Sequence, residues 1–579
     1  MIKSYRYQVD LTLIAPILSQ AAGTRSYGLD TAVLRSPNDQ PALPGRLIKG
    51  NIRHVWCEFN KLLPDKFSKE KIEIWLGDES KEGSWDEPNP GSLQFDDLWI
   101  AQSKPIDSTQ NPIQHRITIN DDTGAVKPGA FQVIETPYRS GDLVVFTGHI
   151  TTSAMEENEA DILTEWLNKA FGYIPALGAL KGSGFGRLDK VDIKQELQST
   201  KKVPGYKDWS NATRFKIILK PDRPFCFARP HSKDSNRFES EDFIPGAAIR
   251  GALARHMKQD GVLAKYFEHL HISHALPAKD TKIRPHAIPL SFVFAKDKLY
   301  DISQYSKPGL LQGEAPKFKP DWKLKLADLP KRNIQLHTAI DAEFGRSADH
   351  DLFALETIQI DDYSWQAELN YQAITDEKER KKFFNELNDL FKQGLTGLGK
   401  TKACATIEYA APDLSSNMID QQCGKIGQQV ILILQSPARL LPNLTRLPSS
   451  DNGPALLEAY QQSWNQLSGE SLLLSHFYAQ QYLAGGSYLQ QRFWHERSTY
   501  YPELLTSAGS VFVFEVKDKN NTKKLLTQWL KTGLPQQDET HLGKHWRDNP
   551  YIAANGYGEI RLRPNDWADL EPQGDWDEC

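Results

Sequence analysis

Cysteine is scarce in this sequence. Five occur in 579 residues: Cys57, Cys226, Cys404, Cys423 and Cys579. No two stand at C-x-x-C spacing and the number is odd. Both facts argue against a disulfide framework and against a cysteine-based zinc site. Reduced, mostly buried thiols are expected, and with them a cytoplasmic setting. Long apolar runs are also missing: none approaches the roughly eighteen residues of a membrane span, so no membrane partner is expected. Met1-Ile2-Lys3-Ser4-Tyr5-Arg6-Tyr7 interrupts its apolar residues with polar ones and does not read as a signal peptide. Positive charge in excess is lacking too. With 69 Lys and Arg against 74 Asp and Glu, the formal net charge is −5. Net charge alone does not mark a nucleic-acid binder. The content of 39% hydrophobic and 25% charged residues excludes wholesale disorder.

What is present is length and repetition. A chain of 579 residues is long enough for three or four compact units, at about 150 residues each. The pattern P-G-x-x-I-[KR]-G occurs at Pro44–Gly50 and again at Pro245–Gly251, 245 − 44 = 201 residues later. Each copy opens a helical pattern: Ile52, Val55, Trp56 and Phe59 in the first, Ile249, Leu253 and Met257 in the second. A later amphipathic helix in each unit runs into a glycine-rich turn. The turns are Lys181-Gly182-Ser183-Gly184-Phe185-Gly186-Arg187 and Gly394-Leu395-Thr396-Gly397-Leu398-Gly399-Lys400, with a third at Asn555-Gly556-Tyr557-Gly558. Strands stopped by proline open the units at Leu11–Pro16, Ile217–Pro221 and Leu432–Pro437. The order strand, helix, strand pair, helix, glycine-rich turn, strand predicts an α+β fold. It is a tandem of ferredoxin-like, RRM-like split-βαβ units, with approximate boundaries at 1–205, 206–425 and 426–579. Such a unit covers one sheet face with helices, and the free face commonly takes RNA.

The paired helix openers and late glycine-rich turns resemble the RAMP superfamily of CRISPR effector proteins. Gly28-Leu29-Asp30-Thr31-Ala32-Val33-Leu34-Arg35, followed by Leu43-Pro44-Gly45, is similar to the first loop of type III backbone subunits. His115–Asn120 and Phe131–Glu135 are similar to their thumb hairpin, and unit two repeats the block at His337–Asp341 and Leu352–Glu356. From His to Glu the interval is 135 − 115 = 20 in one and 356 − 337 = 19 in the other. Units two and three together resemble the RAMP subunit of type III-D systems. The resemblance implies a fused backbone subunit of an RNA-guided antiviral effector complex. Its partners would be CRISPR guide RNA, target RNA, other RAMP subunits and a large signalling or nuclease subunit. Its thumbs would distort the guide–target duplex.

The residues supply physical reasons for such a role. The glycine-rich turns present backbone N–H groups to phosphate, and Lys181, Arg187, Lys400 and Lys402 flank them. Gly182, Gly184 and Gly186 permit close backbone approach. Arg46, Lys49 and Arg53 share one helix face at a helix start, an arrangement that favours anions. Arg250 and Arg255 are the remnants of that set in unit two, and Arg35 lies close to Asp30. The resemblance implies that Asp30 supports metal-dependent endoribonuclease cleavage of target RNA. A lone carboxylate there would hold Mg2+ or another divalent cation, with phosphate and water completing the shell. Unit two lacks a Gly-x-Asp, leaving Asp234 as a weaker second candidate.

Other readings stay open. A non-catalytic guide-RNA-binding backbone subunit is the main alternative. A precursor-processing ribonuclease would need a histidine base, for which His54 and His149 are available. His269, His271 and His274 could bind zinc but are better read as partly buried histidines. Lys317–Lys325 interleaves cations with Phe318 and Trp322, which suits stacking on single-stranded bases. The tail from Asp566 to Glu578 reads as a solvated acidic terminus.

Overall fold

The structure is a computed structural model. It describes residues 5–20, 29–36, 38–78, 91–106, 113–120, 122–152, 155–197, 203–205, 212–229, 235–279, 284–295, 298–303, 329–340, 347–412, 416–441, 453–485, 503–535, 549–564 and 567. Asp234, the Lys317–Lys325 segment and the acidic tail beyond Trp567 lie outside the described residues.

Residues 1–200 form one compact unit. In chain order it holds β1 (Tyr5–Ile14), β2 (Ala42–Pro44), α1 (Gly45–Leu62), α2 (Lys69–Leu76), β3 (Leu93–Phe95), β4 (Leu98–Ala101), β5 (Ile113–Ile119), β6 (Val126–Glu135), β7 (Leu143–Thr152), α3 (Glu157–Tyr173) and β8 (Arg187–Leu197). The sheet runs β2-β4-β7-β1-β8. Taken as four principal strands in chain order, that is the 2-3-1-4 arrangement of a ferredoxin-like fold, as the element order predicts. β1 buries every second residue, which is what one covered face requires. The buried apolar stripes of α1 and α3 close that face. Trp56, Trp75 and Trp166 meet there with ring centroids 5.0–5.7 Å apart, and the Trp56 indole donates to the Trp166 carbonyl at 3.1 Å.

Residues 201–579 form the other compact unit, with two sheets of the same arrangement. The first contains β9 (Arg214–Pro221), β10 (Arg237–Phe238), α4 (Gly246–His256), α5 (Val262–Lys265), β11 (His271–Ile272), β12 (Leu276–Ala278), β13 (Phe292–Ala295), β14 (Lys298–Asp301), β15 (Arg332–Ile340), β16 (Ser347–Ile358), β17 (Ser364–Asn370), a helix Glu377–Gln393, β18 (Leu395–Leu398) and β19 (Ala403–Ala410). Its sheet order is β11-β17-β9-β19-β18. The second contains β20 (Gln429–Leu434), a helix Gly453–Ser468, β21 (Leu472–Tyr478), β22 (Gln481–Ala484), β23 (Glu503–Thr506), β24 (Val511–Val516), a helix Lys519–Thr532 and β25 (Ile560–Leu562), in the order β21-β24-β20-β25. A helix, Ser416–Gly424, precedes this last sheet in the chain, and its Ile419 and Cys423 sit in the sheet's core. Among the described residues no helix is long and apolar enough to cross a membrane.

The proline–glycine openers have a steric cause. A Cβ at Gly45 would lie 1.8 Å from the Asp96 carbonyl oxygen, and one at Gly246 would lie 2.3 Å from that of Ile272. Each helix therefore starts pressed against backbone, which only glycine permits.

Candidate nucleic-acid interface

In residues 1–200 four segments converge at the root of a hairpin. β5 and β6 pair antiparallel from Ile113–Glu135 outward, the hairpin predicted from the His115 and Phe131 segments. Its outer half exposes Ile117, Ile119, Val126 and Phe131, and His115 stacks on Phe131 at 5.3 Å. At its root Thr31 bridges Ile134 in parallel. Leu18, Val33, Ile134 and Phe185 form a small private core beneath. That core ties the first loop, the hairpin and the glycine-rich turn into one rigid corner.

Asp30 sits on this corner and is exposed. Its Oδ2 accepts the Val133 N–H at 2.7 Å, while its own N–H donates to the Val133 carbonyl at 3.0 Å. Both bonds fix the carboxylate against β6. Oδ1 makes no hydrogen bond to a described residue. Glu135 anchors the root from below: it accepts the Val33 N–H at 2.8 Å and pairs with Arg35. Arg35 is thus a buried-side brace of the hairpin.

The glycine-rich turn reaches the same corner. Arg116 of β5 donates to Ser183 Oγ at 3.3 Å, and Lys181 Nζ donates to Asn51 Oδ1 of α1 at 3.0 Å. Lys181, Gly182, Gly184 and Arg187 are exposed there, and Gly186 is buried. Arg46 is exposed on the first turn of α1, where partial burial lowers its pKa against the field of Asp97. Lys49 is half-buried on the next turn. Arg53 points elsewhere: its Nη2 donates to the Leu76 and Gly77 carbonyls at 2.6 and 2.9 Å, closing the C-terminus of α2.

Unit two repeats the corner with different residues. β15 and β16 form the second hairpin, and His337 stacks on Phe353 at 5.2 Å. Glu356 takes the place of Glu135: it accepts the Ser240 N–H at 3.3 Å and pairs with Arg237 and Arg332. These pairings hold its pKa below the usual carboxylate range although burial pushes it up. Lys400 stands 4.0 Å over the Phe238 ring, and its pKa is lowered by burial. Lys402 is exposed one turn further on. Arg255 lies over the glycine-rich turn, where a Cβ at Gly397 would meet its Nη1 at 2.3 Å.

Two expectations need correction. Arg250 is 0% exposed. Its guanidinium donates to the carbonyls of Phe267, Leu270 and Ala554, so it locks the fold and no phosphate reaches it. The N-terminus of α4 is closed as well, because Gly246 N–H donates to His274 Nδ1 at 3.1 Å. The free sheet face of residues 1–200 also differs from an RNA platform. Its central positions are Gln8, Asp10, Thr147 and His149, with no ring to stack on except that imidazole. Asp10 accepts from Thr147 at 2.7 Å, and Asp96 holds His149 at 2.7 Å. The predicted site residues gather instead at the hairpin corner. His149 and His54 lie away from it, on the sheet face and on α1.

Among the described residues no three His, Cys, Asp or Glu side chains converge to hold a metal. His271 is half-buried and His274 buried, and desolvation lowers them to about 4 and about 3, keeping both neutral. At Asp30 the residues fit a divalent cation only as a one-carboxylate site, with RNA and water as the remaining ligands. Sequence reasoning missed Arg237, Phe238, Arg332 and the anchoring role of the two glutamates. The near-equal His-to-Glu intervals carried that last signal.

An α+β protein of tandem ferredoxin-like sheets with paired hairpin corners is the class this architecture defines. Residues 11–189, most of the first unit, match the RAMP superfamily. No curated protein matches the chain. Among solved structures, one chain of a "Type III-B Cmr-beta bound to cognate target RNA and AMPPnP" is 11% identical, with a TM-score of 0.28 over 52% of this chain and 86% of that one. A chain of a "Type III-B Cmr-beta bound to cognate target RNA" is 15% identical, with a TM-score of 0.22 over 32% and 60%.

Proposed function

We propose that the chain is a fused backbone subunit of a type III CRISPR effector complex, of the III-D kind, and that it cuts target RNA at Asp30. Three RAMP units with boundaries near 205 and 425 carry the guide, and other RAMP subunits and a large signalling or nuclease subunit complete the assembly. The observation that carries this reading is the corner itself. A hairpin, a glycine-rich turn and a loop carboxylate share one small core, and the carboxylate keeps one oxygen exposed.

The Val133 N–H holds Asp30 Oδ2, which leaves Oδ1 to serve the RNA and its cation. Mg2+, when bound there, supplies the positive charge that a phosphate needs as it gains negative charge in the transition state. Lys181 and Arg187 on the turn hold the backbone on either side of the scissile bond. Cleavage proceeds by attack of the ribose 2′-oxygen on the adjacent phosphorus. The 2′-hydroxyl gives its proton to water as the new O2′–P bond forms, and the P–O5′ bond breaks as the 5′-oxygen takes a proton from water, leaving a 2′,3′-cyclic phosphate and a 5′-hydroxyl. The hairpin, with Ile117, Ile119 and Phe131 exposed, displaces a base so that this in-line geometry is reached. The test is the cleavage pattern of target RNA by the intact complex with and without Mg2+. A complex that binds target but makes no cut dependent on Asp30 leaves only the guide-holding role.

A further inference from the structure

The two hairpin corners can be aligned residue by residue from their backbone register. In the first, Thr31 lies opposite Ile134, one residue before Glu135, and the N–H two residues on, at Val33, is held by Glu135. In the second, Phe238 lies opposite Leu355, one residue before Glu356, and the N–H two residues on, at Ser240, is held by Glu356. Both bridges are parallel. Thr31 therefore corresponds to Phe238, and Asp30 to Arg237. The place of the cleaving carboxylate is held by a guanidinium, and the hydroxyl beside it by a phenyl ring.

The exchange alters what the corner can do. Arg237 donates to Glu356 at 3.1 Å through Nη2, and its side chain is half exposed. A guanidinium has five N–H donors and cannot act as a base. Phe238 lies under Lys400 at 4.0 Å and stands edge-on to Phe353 at 6.1 Å, which is stacked on His337. Cation, two rings and imidazole make a ladder, the arrangement on which single-stranded bases stack while cations hold the backbone. The first corner has the His–Phe pair but no ring at Thr31.

We infer that the second hairpin root is a non-cleaving clamp for single-stranded RNA, with Arg237 on a phosphate and Phe238 stacked beneath a base. The inference rests on the first corner being the RNA-cutting site, but its principal test reads binding alone. Binding of an unstructured RNA oligonucleotide to the full chain is followed by fluorescence anisotropy at several salt concentrations. Phe238→Ala weakens binding about tenfold, the loss of one stacked base. Arg237→Gln lowers the slope of log affinity against log salt by about one. Phe238→Tyr and Arg237→Lys restore most of each loss, which separates a contact from a folding defect. In the unaltered protein, ultraviolet crosslinking to a thiouridine-substituted RNA labels the segment containing Phe238. Wild-type affinity and slope in both loss variants, or no crosslink on that segment, overturns the inference. A target cut that survives Asp30→Asn but is lost in Arg237→Gln also overturns it. Failure of Asp30→Asn to affect any cut counts against the first corner alone, since the anisotropy and crosslinking do not depend on cleavage.

Discussion

Asp30 and Val133 hold each other twice. The Val133 N–H donates to the Asp30 carboxylate at 2.7 Å, and the Asp30 N–H donates to the Val133 carbonyl at 3.0 Å. The loop that carries the carboxylate is thereby registered on the root of the hairpin. Any movement of the hairpin root moves the carboxylate with it.

The three glycines of the first glycine-rich turn are not equivalent. Gly186 has φ +63°, and a Cβ there would lie 1.9 Å from the Leu177 carbonyl oxygen, whereas at Gly182 nothing lies within 4 Å. Gly186→Ala is expected to destabilise the 1–200 unit by about 2 kcal/mol or more. Gly182→Ala should stay within about 0.5 kcal/mol of wild type. Denaturant unfolding of the full chain, followed through the Trp56–Trp166 cluster, compares them.

Glu135 braces the hairpin through Arg35 and the Val33 N–H. Glu135→Ala leaves the buried Val33 N–H unsatisfied and leaves Arg35 only its contacts to Asp39, at a cost of about 1–3 kcal/mol. Hydrogen exchange at Val33 and Val133 should accelerate before global unfolding. Unchanged exchange at both amides would show that the hairpin root does not depend on this carboxylate.

Acidification should weaken the 201–579 unit. Burial holds His271 at about 4, helped by Arg250 and His269. It holds His274 at about 3, where Arg284 lowers the value and Glu559 raises it. An unfolded histidine titrates near 6.5. Between about 6.5 and 4 the unfolded chain therefore binds more protons than the folded one, and stability rises with pH across that window. It is fully present above about 6.5 and is lost as pH falls toward 4. Thermal unfolding from pH 7.5 to 4.5 should show this slope, and His271→Gln should flatten it.

Much of this was legible in the sequence because it is local. The openers announce themselves since Gly45 and Gly246 meet backbone, and the strands since β1 alternates without a break. The hairpins show in the His–Glu spacing. What the sequence hides depends on partners far away. The every-fourth spacing of Ile249, Leu253 and Met257 shows one buried face of that helix but not that Arg250 beside it is covered too, and Ala554, 304 residues on, accepts from it. The counterpart of Asp30 is hidden for another reason. Asp30 stands 44 − 30 = 14 residues before its opener proline, but Arg237 stands 245 − 237 = 8 before its own. Loop lengths differ, so only the register against β6 and β16 brings the two into correspondence.

The central claim is tested most directly by mapping target-RNA cuts made by the intact complex carrying Asp30→Asn. Asparagine keeps an oxygen for the Val133 N–H and removes the charge, so the corner stays folded. The account predicts that the Mg2+-dependent cut assigned to this chain falls at least about 100-fold in rate, while target binding stays within about twofold. A cut of unchanged rate at the same position, made by the Asp30→Asn complex, would contradict it.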